Sequence, residues 1–128
     1  MEFVHAAIYV EDLEAARDFY AKYFGGRANK LYENPKTGLR TYFLDFGGGA
    51  KLEIMSRPEV KGGADAQPFR AGFAHIAFKA DKAEQVDGLT AQIEADGFKV
   101  LSRPRITGDG YYESCVADPE GNAVEITA

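Results

Sequence analysis

Two histidines and two glutamates are the residues of this chain whose types and spacing can do chemistry. His5 and His75 are the only histidines in 128 residues, and each stands in the phrase Phe-x-His-x-Ala, at 3–7 and 73–77. After nearly the same interval, each is followed by a glutamate between two aliphatic residues: Leu52-Glu53-Ile54 and Val124-Glu125-Ile126. Two neutral imidazoles and two carboxylates balance the charge of a divalent cation. They suit Zn²⁺, Ni²⁺ or Co²⁺, and also Fe²⁺ or Mn²⁺. The repetition suggests two related halves that share one paired site.

Side-chain parity decides which way these groups face. His5, Glu53, His75 and Glu125 each lie between apolar neighbours in alternating, strand-like runs. With a period of two, the neighbours take the core side of a sheet and the four polar groups take the other. If the two half-sheets face each other, all four converge in a concavity. Tyr9 and Met55 share the faces of His5 and Glu53, as do Lys51, Lys79 and Thr127 for their own ligands. Tyr9, Met55 and Arg57 are candidates for the lining of the substrate pocket, and Arg57, Arg103 and Arg105 are candidates to meet an anionic tail, with solvated surface the plainer reading of each arginine.

The elements that position these residues follow one grammar twice. A strand over 3–10 leads through Asp12, an N-cap, into a helix over 13–24 with Leu13, Ala16, Phe19, Tyr20 and Tyr23 at helical spacing. Gly25-Gly26 ends it. A short strand over 28–33 and a hairpin, 40–46 and 50–56 around Gly47-Gly48-Gly49, complete the first half. In the second half a strand over 73–80 precedes Asp81-Lys82-Ala83-Glu84, which fits a capping box with Asp81 as cap. Val86, Leu89 and Ile93 mark the helix. Strands over 99–102, 111–117 and 123–127 follow, with a loop over 103–110 and an Asp118–Asn122 turn. Each half is thus βαβββ. The expected organisation is one α+β domain over 1–128: module 1 over 1–56, a surface linker over 57–72, and module 2 over 73–128.

Composition narrows the function classes. The formal charge of −5, without a long Lys/Arg stripe, argues against nucleic acid as a partner. No apolar run reaches the length of a membrane span and no signal peptide is visible, so a cytoplasmic protein without a membrane partner is expected. The single cysteine, Cys115, excludes an internal disulfide and reads as a small buried hydrophobe. Gly47-Gly48-Gly49 lacks the spacing of a phosphate loop.

The stretches 3–10, 12–25 (DLEAARDFYAKYFG), 73–78 and 118–126 (DPEGNAVEI) together resemble the vicinal oxygen chelate superfamily. That superfamily includes glyoxalases, bleomycin-resistance proteins and dioxygenases, and the closest class is glyoxalase I, lactoylglutathione lyase. The resemblance spans nearly the whole chain. It implies paired βαβββ modules forming a curved mixed sheet around a metal-binding concavity, with ligands at His5, Glu53, His75 and Glu125. It also implies a homodimer, with modules paired within a chain or swapped between subunits. A glutamate at position 53 is the glyoxalase I feature. His5, His75 and Glu125 alone match the triad of the dioxygenases and thiol transferases, and the binding members lack the set. The short chain resembles the nickel- or cobalt-activated class.

By resemblance, the metal binds the oxygens of an α-oxoaldehyde hemithioacetal and stabilises a cis-enediolate. The product is a 2-hydroxyacyl thioester. Glu125 is then the catalytic base, and Glu53 a ligand or second proton carrier. Two positions depart from the glutathione-holding pattern: Tyr9 stands where an arginine is common, and Arg57 where an asparagine is common. The substrate is therefore expected to be a small molecule, either a thiol adduct or a different compound. The alternatives are a related metal-dependent reaction (epimerisation, Fe²⁺ ring cleavage, thiol transfer) or a non-catalytic binding protein.

Overall fold

Asp12 starts the first helix as its sequence position predicts: its carboxylate accepts the Ala15 N–H at 2.9 Å. Helix α1 (Leu13–Phe24) then runs to Gly25, whose φ of 68° is the left-handed conformation that ends helices. The computed structural model describes residues 2–62 and 71–128. The chain divides into two compact units, Met1–Gly63 and Ala64–Ala128.

In the first unit, β1 (His5–Tyr9) runs parallel to β5 (Lys51–Ser56). β5 is antiparallel to β4 (Arg40–Asp45), which also pairs with the short strands β2 (Arg27–Ala28) and β3 (Tyr32–Glu33). The sheet order is β1-β5-β4-β2. The strand expected over 28–33 is thus broken in two. Between the pieces, Asn29 donates its backbone N–H to the Phe43 carbonyl, and its side-chain oxygen accepts the Phe43 N–H. Leu13, Ala16, Phe19, Tyr20 and Tyr23 of α1 are buried, as are Tyr42, Leu44, Leu52 and Ile54 of the sheet. That is the parity expected of a sheet with one covered face.

The second unit repeats this plan with four strands in the order β6-β9-β8-β7. β6 (Ile76–Lys79) is parallel to β9 (Ala123–Thr127), which pairs antiparallel with β8 (Tyr112–Ala117), and β8 with β7 (Val100–Ile106). Helix α2 (Ala83–Ala95) buries Val86, Thr90 and Ile93. The Asp118–Asn122 turn is built as read: the buried Asp118 carboxylate accepts the Glu120 and Asn122 N–H groups and the Asn122 amide.

Three expectations are corrected. The cap of α2 is Lys82, which makes no side-chain cap bond; Gln85 instead reaches back to the Asp81 N–H at 2.8 Å. The loop expected over 103–110 is strand as far as Ile106, because β7 passes Pro104 with register shifts. Pro104 lacks a ladder donor, and an irregular edge strand accommodates it. Finally, His75 lies just before β6 rather than inside it. Of the linker over 57–72, Arg57 opens a turn closed by the Val60 N–H, and residues 63–70 lie outside the described residues.

Candidate metal centre

Each unit brings its histidine and its glutamate together at a pair of parallel strands in the same relative register, His5 within β1 and His75 immediately before β6. Ala7 is the register partner of Glu53, and Ala77 that of Glu125. In both units the histidine is two residues upstream of that partner, so it lies on the glutamate's face and diagonal to it. His5 Nε2 is 3.6 Å from Glu53 Oε2, and His75 Nε2 is 3.1 Å from Glu125 Oε2. The carboxylates are sheltered, at 17% and 21% side-chain exposure, and the imidazoles are open, at 40% and 44%.

The His75–Glu125 separation fits two ligands of one cation, and the His5–Glu53 separation is slightly longer than that. Two ligand atoms about 2.1 Å from one ion lie about 3.0–3.4 Å apart at octahedral to tetrahedral angles. Each pair is an imidazole nitrogen with a carboxylate oxygen, the donor chemistry that borderline divalent ions take. Within each unit the structure brings together the two residues read from the sequence. Among the described residues no group of three or more His, Cys, Asp or Glu gathers as a metal site.

The surroundings of the two pairs differ. Phe43 is the register partner of Glu53, and its ring meets His5 edge-on, with centroids 5.3 Å apart and planes at 87°. Cys115 takes the equivalent place beside Glu125. Burial, and secondarily the Glu125 carboxylate, push the Cys115 thiol up to about 11, so it is protonated at neutral pH. The sequence reading gave neither residue a place at the site. The signal was present: the Gly47–Gly49 and Asp118–Asn122 turns fix the hairpin registers that set Phe43 opposite Glu53 and Cys115 opposite Glu125.

The remaining sequence-predicted residues divide into two groups. Tyr9 and Met55 are register partners on the His5 face, and Tyr9 is exposed. Each of the three arginines singled out faces a carboxylate: Arg57 Nε, buried and without a hydrogen bond among the described residues, lies 3.4 Å from Glu59, and Arg103 forks onto Glu94 at 2.7 and 3.1 Å. Arg105 donates to Ser102 and faces Glu113 at 3.6 Å. The Arg103 fork holds the Glu94 carboxyl below its ordinary range. An open concavity of about 640 Å³ lies wholly in the first unit, with His5, Phe43, Arg27, Asn29, Asp45 and Lys51 among its walls.

Two copies of one strand–helix–strands plan, each with a His–Glu diagonal on its open face, define a duplicated α+β protein. The sequence matches the Glyoxalase/Bleomycin resistance protein/Dioxygenase superfamily over residues 2–126, and the chain belongs to that superfamily. It is 32% identical over 127 residues to the uncharacterized protein YqjT of Bacillus subtilis (strain 168), covering 97% of this chain and 96% of that one. It is 25% identical over 127 residues to lactoylglutathione lyase of Escherichia coli O157:H7, covering 98% of this chain and 91% of the other. The glyoxalase family protein from Enterococcus faecalis has the same fold, with a TM-score of 0.80 at 23% identity, covering 99% of this chain and 97% of that one. No helix of the described residues is long and apolar enough to cross a membrane.

Proposed function

We propose that the protein is a metal-dependent, glyoxalase I-like lyase that converts an α-oxoaldehyde hemithioacetal to a 2-hydroxyacyl thioester. The observation that carries this reading is the recurrence of the His–Glu diagonal at equivalent positions in both units, since a single binding role needs no second carboxylate at position 53. His5, Glu53, His75 and Glu125 together hold one divalent ion (Ni²⁺, Co²⁺ or Zn²⁺), and the two units work as one vicinal-oxygen-chelate domain over 1–128. When bound, the ion supplies electrophilic stabilisation of negative charge on adjacent substrate oxygens. Glu125 is the base: it removes the proton from the carbon bearing sulfur and returns it to the neighbouring carbon, an internal redox shift that needs no external oxidant. Glu53 stands opposite as ligand or second proton carrier. Tyr9 and Met55 wall the substrate side.

The protein acts in the cytoplasm on a small molecule and as a homodimer. Phe3 and Phe73, bulky and exposed before each histidine, offer apolar surface to a second copy. Metal-loaded protein is expected to form thioester from methylglyoxal with glutathione, bacillithiol or another thiol. No turnover with any of these, in any of the named metals, contradicts the proposal. Tyr9 and Arg57 favour a second reading, a sister reaction on the same ligands. Oxygen consumption with catechols identifies its dioxygenase form.

A further inference from the structure

The open face of the first unit carries a row of charges that the second unit keeps only in part. Register partners run Arg27–Asp45–Lys51–His5 across β2, β4, β5 and β1, so all four side chains share one face. All four also line the 640 Å³ concavity, whose size suits a small-molecule ligand. Among the described residues Arg27 and Lys51 make no ion pair, unlike the three arginines named above. Asp45 is engaged elsewhere, accepting the Gly47 N–H at 2.7 Å. In the second unit the residues equivalent to Asp45 and Lys51 are Ala117 and Ala123.

We propose that Arg27 and Lys51 form an anion subsite that holds a carboxylate or phosphate of the ligand while its reacting end lies toward His5. Several observations point the same way. The row bears two cations against one carboxylate, and that carboxylate is already hydrogen-bonded to the Gly47 turn. Both cations sit on an open, concave wall, where a bound anion gains charge-assisted hydrogen bonds. Arginine offers a planar fork and lysine a mobile point charge, which suits an oxyanion approached from two sides. Asp45 and Lys51 have no charged counterparts in the second unit, where Lys99, opposite Ala117, answers only to Arg27, so the pairing of two cations in one row is not a property of the fold. Lys51 is also the residue on β5 that precedes Glu53 by two, which puts the anion within one small molecule's length of the His5–Glu53 pair. The inference identifies the substrate class of the proposed site and rests on that reading only for the position of the reacting end.

The test is independent of turnover. Backbone amide NMR of the metal-free full chain is titrated with inorganic phosphate and, separately, with succinate. Saturable shifts are expected at Arg27, Gly49 and Lys51. Arg27→Gln and Lys51→Gln should each weaken binding about tenfold or more, the loss that follows from one charge-assisted contact. The two probes distinguish phosphate from carboxylate as the preferred group. Shifts that do not saturate, that lie elsewhere, or that survive in the double variant mean an adventitious ion only and overturn the proposal. If a Gln variant fails to fold, Lys51→Arg and Arg27→Lys, which keep the charge, should retain binding; loss in both overturns the subsite. Metal content measured alongside reports separately on the His–Glu pairs.

Discussion

The two units place the same pair of chemical groups in the same register, yet surround them differently. In the first, Glu53 has Phe43 beside it, Lys51 and Asp45 in the next row, and Met55 and Tyr9 beyond. In the second, Glu125 has Cys115 beside it, two alanines in the next row, and Thr127 and Lys79 beyond. The cores diverge as well. Tyr42 is buried, and its hydroxyl donates to Glu14 at 3.1 Å and accepts from Arg17 at 3.3 Å. Its counterpart, Ser114, stays within the core. Thr90 donates to the Val86 carbonyl and accepts the Ser114 hydroxyl, both at 2.6 Å. What the repeat keeps is the His–Glu diagonal and the aliphatic parity that aims it. What it varies is everything a ligand or a helix touches beyond that.

The largest difference to test is at the Phe43/Cys115 position. Because the fold favours the protonated thiol, Cys115 in metal-free protein should alkylate roughly a hundredfold more slowly at pH 8 than a thiol at its ordinary value of 9.0. The rate should climb as pH approaches about 11. The stability linked to this group is fully present below pH 9 and fades as pH rises through about 11. Iodoacetamide labelling followed by mass spectrometry reads the rate. Labelling at the ordinary thiol rate would remove the contrast with Phe43.

A second contrast is the buried hydroxyl pair. Thr90→Val strands the Ser114 hydroxyl in the core and should cost about 1–3 kcal/mol. The double change Thr90→Val with Ser114→Ala removes both partners and should recover most of that loss. Urea midpoints of the single and double variants check it. The helix caps give the smallest effect. Asp12→Ala should cost about 1 kcal/mol, whereas Lys82→Asp, adding the cap bond that α2 lacks, should stabilise by about 0.5–1 kcal/mol. Thermal melts of the two variants should therefore move in opposite directions.

The units also show what a sequence can and cannot disclose. α1 was legible because Asp12 and Gly25 bracket an apolar stripe of helical period, and each of these signals is local. The facing of the four candidate residues was legible because parity is local too: a glutamate between Leu52 and Ile54 faces away from whatever buries its neighbours. The cap of α2 was misread because Asp81, Lys82 and Ala83 offer competing starts, and Gln85, which reaches back to Asp81, lies outside the capping-box pattern. β7 was misread because Pro104 and three polar neighbours look like a loop, while pairing to β8 supplies the extended backbone. The Arg27–Asp45–Lys51–His5 row was illegible for another reason. It depends on the register of four strands, one of them two residues long, and no periodicity in 27–33 announces where that pairing begins.

The central claim is that the two His–Glu diagonals serve one divalent ion together rather than one ion each. Metal bound per chain, measured by elemental analysis after loading with Ni²⁺ or Zn²⁺ and removal of excess, tests it most directly. The account predicts one ion per chain, with its loss in His5→Ala and in His75→Ala alike. Two ions per chain, or full retention of the metal after either histidine is removed, would contradict it.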